Sequence, residues 1–350
     1  MKKIKIAIVG AGAVSELGHM PALINNIHIV TDTKTGERAP VSQIAEIVAV
    51  VDTNPARAKL VANKYGIKRS ALTVAGVVDE IDAAIIATPH CFHAPDSIAL
   101  LRNGRHVLVE KPMAINSVEC VAMGEAAKGS GAILAVGLMR RFLPGHMLMK
   151  SLLATRMIGE IKSFDFSEGD VYDWPVASDF FFRKDKAGGG VLIDTGAHTL
   201  DSLIDWLGDY DSVDYRDDSA GGVEADCELR LRMKNGASGT VTLSRIRNLR
   251  NTAVIYGERG EIEIGMRNSR LRIKIYGDQP HENRELTMIA TPGNDDWGNI
   301  MQLQLRDWLE SIINLRLPLV SVAEGAKALR LIDECYSKRQ RLILPWKYQG

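Results

Sequence analysis

Three short stretches hold the residues whose types could do chemistry. In the first, Gly10-Ala11-Gly12-Ala13-Val14-Ser15 follows an apolar run, Ile4 to Val9, and precedes a helical pattern. Gly10 can make a tight strand-to-helix turn, and Gly12, Ala13 and Val14 can bring backbone N–H groups against a pyrophosphate at the helix N-terminus. Ser15 stands where a third glycine is usual, and its side chain is small enough for close helix packing. In the second, Glu110-Lys111-Pro112 ends another apolar run. Most lysines sit on solvated surface, but one between a strand end and a proline is well placed for function. In the third, Gly188-Gly189-Gly190 opens a helix that carries Asp194 and His198 one turn apart on one face. Such a pair could orient a substrate and move a proton, could merely satisfy each other on a capped amphipathic helix, or could chelate a metal. No obvious third ligand accompanies them, so no metal is expected.

The elements that must position these residues are legible as patterns. Short apolar runs at Ile47–Val51, Ala83–Ala87, His106–Val109 and Ile133–Val136 alternate with helical patterns at Pro55–Tyr65, Ala94–Asn103 and Ser117–Lys128. That alternation predicts an α/β domain over residues 1–138, with a doubly wound parallel Rossmann sheet. Such sheets bind ligands outside their strand carboxyl ends, so Thr88, Pro89 and His90, and likewise Glu110 and Lys111, should border a nicotinamide. The ribose-binding acid has two candidates: Asp32 has the usual spacing but lies in a polar turn, whereas Asp52 ends the better strand. We choose Asp52 and treat roughly residues 27–45 as an insertion. Asp52 would repel a 2′-phosphate, favouring NAD; the nearby Arg57 keeps NADP as the alternative.

Beyond about residue 138 the texture changes. Ala225–Met233 alternates strictly, Asn235-Gly236 signals a hairpin into Ser238–Ile246, and Thr252–Ile264 and Arg270–Tyr276 continue the strand-rich pattern. Residues 139–350 are therefore expected to form an α+β domain with a large open, mostly antiparallel sheet. Late helices are expected at Asn299–Asn314 and Val322–Arg339, the last packing back on the first domain.

The composition excludes several classes. With 43 basic and 43 acidic residues the chain has no long-range field to gather nucleic acid or a membrane surface. No apolar run approaches membrane-spanning length, and Lys5 interrupts what would otherwise resemble a signal peptide. Four scattered cysteines suggest neither a disulfide framework nor a thiolate metal site, which fits a reducing cytoplasm. Arg245, Arg247 and Arg250 are read as a solvated or subunit-facing sheet edge. Trp174 and Arg183 are read as substrate-pocket residues along with His90, ahead of Tyr172, Asp173 and Arg140.

Taken together, the Gly10 turn, Thr88-Pro89 with His93, Glu110-Lys111-Pro112, Gly188-Gly-Gly190, Asp194 and His198 resemble the Gfo/Idh/MocA family, the glucose-fructose oxidoreductase and inositol dehydrogenase group. The resemblance implies NAD(P)-dependent hydride transfer on a sugar, cyclitol or related polyol. It implies a catalytic role for Lys111, substrate-binding and proton-transfer roles for Asp194 and His198, and a cofactor-side place for His93. It also implies a homodimer or homotetramer assembled through the open sheet. Two other outcomes are a glycosidase that uses NAD for transient oxidation and a dinucleotide-binding sensor without turnover. Three features depart from the common pattern: Ser15, His90 where asparagine is frequent, and the insertion around Lys34–Arg38. The last two are expected to alter the pocket.

Overall fold

The computed structural model describes residues 3–175, 178–290 and 296–342. Its first eight strands are β1 (Ile4–Val9), β2 (Ile29–Thr31), β3 (Arg38–Pro40), β4 (Ala45–Val51), β5 (Arg69–Ala71), β6 (Ala83–Ile86), β7 (His106–Glu110) and β8 (Leu134–Gly137). Six of them form one parallel sheet in the order β5-β4-β1-β6-β7-β8. The strand order reverses between β4 and β6 on either side of β1, which opens a crevice at the carboxyl ends of these strands. The apolar, β-branched runs form strands here because helices cover both sheet faces, leaving Ile6, Ala7 and Ile8 fully buried.

The segment read as an insertion is a separate β2–β3 hairpin. It docks on the helix Trp297–Asn314: Thr33 donates from N and Oγ1 to Asn314 Oδ1 (2.8 and 2.7 Å), and Asn314 Nδ2 donates to the Thr31 carbonyl (2.9 Å). No residue of 27–45 lines the cleft described below, so the expected effect on the pocket is corrected. Asp32 instead closes the hairpin turn by accepting from Lys34 N.

The second sheet has nine strands: β9 (Ile161–Gly169), β10 (Tyr210–Asp217), β11 (Asp226–Met233), β12 (Ser238–Ser244), β13 (Thr252–Gly257), β14 (Gly260–Gly265), β15 (Arg270–Ile275), β16 (Arg284–Ile289) and β17 (Gln340–Arg341). Their order is β16-β15-β14-β13-β9-β12-β11-β10-β17, and only the β9–β12 and β10–β17 pairs are parallel. The run expected as one strand over Thr252–Ile264 is a hairpin of β13 and β14. In β11 the alternation holds for Cys227, Leu229, Leu231 and Met233, which are buried, against exposed Arg230 and Arg232. Asp226 breaks it, buried against Arg247 at 2.7 Å.

Two cores tie these parts together. One face of the parallel sheet, through Ile6, Ile8 and Ile85, packs against Met301, Leu305, Trp308 and Leu309 of the helix Trp297–Asn314. This helix comes from the second half of the chain but completes the first domain. Truncating the fully buried Trp308 to alanine should cost about 3–5 kcal/mol. The other face is continuous with the second sheet, so that Val9, Ile86 and Val109 share one core with Phe166, Leu229 and Val241. The last helix, Val322–Ser337, is anchored where Val136 N of β8 donates to the Val320 carbonyl (3.1 Å). Among the described residues no helix is long and apolar enough to cross a membrane.

Candidate active site

The glycine turn is built by close approach. Gly10 has φ of +93°, and a Cβ there would lie 2.4 Å from the Ala87 carbonyl oxygen, so only glycine lets β1 end this near β6. Around Gly12 the corresponding space is open. Ser15 is buried, its Oγ donating to the Gly10 carbonyl at 2.6 Å, so the serine fastens the turn. At the end of β4, Asp52 Oδ2 accepts from Ala11 N (2.9 Å) and Oδ1 from Asn54 N (2.8 Å). Arg57 Nε donates to the Ala11 carbonyl (2.7 Å), and its guanidinium pairs with Glu16.

The two neighbouring strand ends are pinned to each other by His93, whose Nδ1 lies 2.8 Å from the Pro112 carbonyl oxygen and Nε2 2.8 Å from that of Thr88. Burial pushes the His93 pKa down. Glu110 meets His19 Nε2 at 2.8 Å and accepts from Lys111 N at 3.0 Å. Burial pushes the Glu110 pKa up, but the His19 hydrogen bond and the nearby positive charges outweigh it, and the carboxyl ends below its ordinary value. The Lys111–Pro112 peptide is cis.

The helix Val191–Leu207 supplies the third part. Glu224 caps its start, accepting from Gly190 N (2.9 Å) and Leu192 N (3.0 Å) and from the Tyr336 hydroxyl (2.8 Å). A Cβ on Gly189 or Gly190 would sit 1.9 Å from the Tyr336 hydroxyl or the Glu224 carbonyl respectively, which accounts for these glycines. So held, the helix delivers Asp194 to Lys111: Lys111 Nζ donates to Asp194 Oδ1 at 2.6 Å and to its carbonyl at 3.2 Å. Burial pushes the Asp194 pKa up, but Lys111 and Arg245 together outweigh it and hold the group ionised. His198 lies one turn on, and its ring Nδ1 is enclosed without a partner among the described residues. Burial, with Arg140 and Lys111 nearby, holds the imidazole pKa well below 6.5, so the ring is neutral.

All three parts open into one cavity of about 1210 Å³. Its lining includes Gly10, Gly12, Ala13, Val14, Asp52, Thr88, Pro89, His93, Glu110 and Lys111, and also Asp194 and His198. The sequence-predicted residues thus converge from distant parts of the chain. His90 lines the cavity as well; its Nδ1 lies 2.8 Å from the Ala187 carbonyl oxygen, and burial, with His93 beside it, lowers its pKa to about 3. Trp174 stands at the cavity edge-on to Trp297, with ring centroids 6.1 Å apart. Arg183 is a correction: it lies outside the cavity lining, its side chain 48% exposed and paired with Asp185 at 3.2 Å. Closeness in sequence to Gly188 did not translate into closeness in space.

The sequence reading also misplaced Arg245. It is no solvated sheet edge but a buried residue on the cavity wall, with Nη2 3.3 Å from Asp194 Oδ2 and the guanidinium stacked over the Tyr172 ring at 5.4 Å. Arg247 is turned onto Asp226 and Arg250 onto Asp165. Arg140, ranked low from sequence, also lines the cavity and forms a fork with the fully buried Glu168 (2.8 and 2.6 Å). Burial pushes the Glu168 pKa up, but Arg140 and Arg267 overcome it and hold the carboxyl at about 2. No cluster of three or more His, Cys, Asp or Glu side chains that could hold a metal occurs among the described residues.

Two family models match this chain in sequence. Residues 4–138 match the oxidoreductase family with an NAD-binding Rossmann fold, and residues 146–263 match the GFO/IDH/MocA C-terminal domain. The chain belongs to the GFO/IDH/MocA family. A putative UDP-kanosamine synthase oxidoreductase subunit of Amycolatopsis mediterranei is 34% identical over 47% of this chain and 45% of its own length. Levoglucosan dehydrogenase of Pseudarthrobacter phenanthrenivorans is 26% identical over 73% of this chain and 74% of its own. The NAD(+)-dependent scyllo-inositol 2-dehydrogenase of Bacillus subtilis is 33% identical over 45% of each. Among solved structures, a levoglucosan dehydrogenase in complex with NADH and levoglucosan superposes with a TM-score of 0.83 at 22% identity, covering 96% of this chain and 97% of that one. This GFO/IDH/MocA chain thus carries the family's NAD-binding fold in its first half, on which the Gly10–Gly12 turn and Asp52 sit.

Proposed function

We propose that this chain is an NAD-dependent dehydrogenase acting on a secondary alcohol of a sugar, cyclitol or related polyol, or reducing the corresponding ketone. The observation that carries the reading is the convergence of an ammonium, a carboxylate and a neutral imidazole in the same cavity as the glycine turn. The residues fit a dinucleotide: the Gly12 backbone is open, and Asp52 stands at the cavity rim where it would accept from ribose hydroxyls. Asp52 would repel a 2′-phosphate, and Arg57 is turned onto the Ala11 carbonyl and onto Glu16, which it shares with Lys64, so NAD is preferred over NADP.

When bound, NAD supplies the hydride acceptor. The chain's own residues handle the proton and the charge. His198, held neutral by burial, accepts the hydroxyl proton as the alcohol is oxidised. Lys111 donates a hydrogen bond to the same oxygen and stabilises its developing negative charge. Asp194 holds the Lys111 ammonium in place and accepts from a neighbouring substrate hydroxyl. A positioned base contributes about 10² to 10⁴ in rate, or roughly 3–5 kcal/mol. The relatives that act on levoglucosan and scyllo-inositol support a polyhydroxylated substrate.

We read the open face of the nine-stranded sheet as the surface through which copies associate into a homodimer or homotetramer, and four free cysteines as consistent with a reducing cytoplasm. A spectrophotometric screen of sugars and polyols against NAD and NADP in parallel tests the reading. Accumulation of NADH with at least one alcohol is expected. Release of sugar without net NADH would favour transient oxidation in a glycosidase, and binding without any redox change would favour a sensor.

A further inference from the structure

The cations around the cavity are not equally satisfied. Arg140 is forked onto Glu168, Arg267 reaches Glu168 at 2.9 Å and Asp170, and Arg57 is paired with Glu16. Arg245 is held more loosely, its one carboxylate partner being Asp194. Its side chain is 7% exposed, yet its contacts are long, 3.3 Å from Nη2 to Asp194 and 3.5 Å from Nη1 to the Phe181 carbonyl, and its Nε has no acceptor among the described residues. Asp194 spends its closest hydrogen bond on Lys111 at 2.6 Å, so one carboxylate serves two cations and the wall keeps a net positive charge there. Beneath the guanidinium lies Tyr172, whose hydroxyl is likewise buried without a partner among the described residues. Buried guanidinium and phenol donors in native proteins are nearly always met, and both of these residues line the cavity.

We propose that the Arg245 guanidinium binds a carboxylate on the substrate, so that the preferred substrates are polyhydroxylated acids of the uronic or aldonic type rather than neutral sugars. The inference rests on the dehydrogenase reading above and narrows its substrate class. A planar guanidinium with free N–H groups matches a carboxylate in both charge and shape. Anchored at one end by Arg245, a sugar acid keeps its carbinol groups free to reach Lys111 and His198.

The test measures binding to the full-length protein saturated with NADH, by change in NADH fluorescence, for three acid and amide pairs: glucuronate and glucuronamide, galacturonate and galacturonamide, gluconate and gluconamide. Each amide keeps the shape of its acid and removes the charge. At least one acid should bind about tenfold or more tightly than its amide, the scale of a charged hydrogen bond. Arg245→Gln should erase that ratio, and Arg245→Lys should restore part of it. No acid exceeding its amide, or an unchanged ratio in Arg245→Gln, overturns the proposal. Equal losses for acid and amide in Arg245→Gln also overturn it, because they show a purely structural role. Failure to bind NADH at all would instead strike the dehydrogenase reading.

Discussion

One helix, Val191–Leu207, carries two clusters of charge that behave in opposite ways. At its far end Asp201 and Asp205 close around Arg141: Nε and Nη2 reach Asp201 at 2.7 Å each, Nη1 reaches Asp205, and Glu324 of the last helix lies 3.4 Å away. This cluster joins the segment after β8 to two helices and lies outside the cavity lining. Two turns earlier Asp194 is shared by Lys111 and Arg245, and one turn earlier His198 Nδ1 is enclosed without a partner among the described residues. The first cluster is complete in itself, as a scaffold should be. The second is left with unmet donors and a neutral base beside a large cavity, as a site that must bind and release something should be.

Breaking each cluster should therefore have a different result. His198→Ala should lower turnover by about 10² to 10⁴ while NADH affinity and the denaturation midpoint hardly move, as steady-state kinetics and fluorescence titration would show. Arg141→Ala should do the reverse. It leaves Asp201 buried and unpaired, so about 3–5 kcal/mol of stability should be lost, seen as an earlier denaturant midpoint, with kcat affected less than in His198→Ala. At the cofactor end, Asp52→Ala should weaken NADH binding about tenfold while NADPH binding changes less. The NADH to NADPH ratio separates ribose recognition from the amide contacts Asp52 makes within the turn, whose loss would weaken both cofactors alike.

The smallest expected change lies in the pH profile of the intact enzyme. The folded pKa of His198 is depressed chiefly by burial, so the base remains unprotonated through pH 6.5 and kcat/KM for alcohol oxidation should stay level there. By linkage, the same burial opposes folding as pH falls below the ordinary histidine value, since only the unfolded chain then takes up the proton freely. An acid limb at the ordinary value, assigned to His198 by its loss in a His198→Gln variant, would contradict the burial argument.

Much of this site was readable from sequence because its parts are local. Glu110-Lys111-Pro112 is contiguous at a strand end, Asp194 and His198 share a helical turn, and Asp52 directly follows the strand beside β1. What escaped depends on distant contacts. Arg245 resembles Arg247 and Arg250 in composition and spacing, and only the packing of β12 against the helix carrying Asp194 turns it inward. The β2–β3 hairpin looked like a pocket insertion because Asn314, which holds it elsewhere, is far along the chain. The central strand β9 alternates Phe164 and Phe166 with Ser163, Asp165 and Ser167, a signal present in the sequence but too short to stand out without its neighbours.

The most direct measurement of the central claim is single-turnover formation of NADH, followed at the reduced-nicotinamide absorbance, for wild type, Lys111→Met and His198→Ala on one alcohol, with NADH affinity determined alongside. NADH should form in the wild type and slow by at least about 10² in both variants at unchanged cofactor affinity. Wild-type rates in either variant would contradict the assignment of chemistry to this convergence of groups, as would a loss explained wholly by weaker NADH binding.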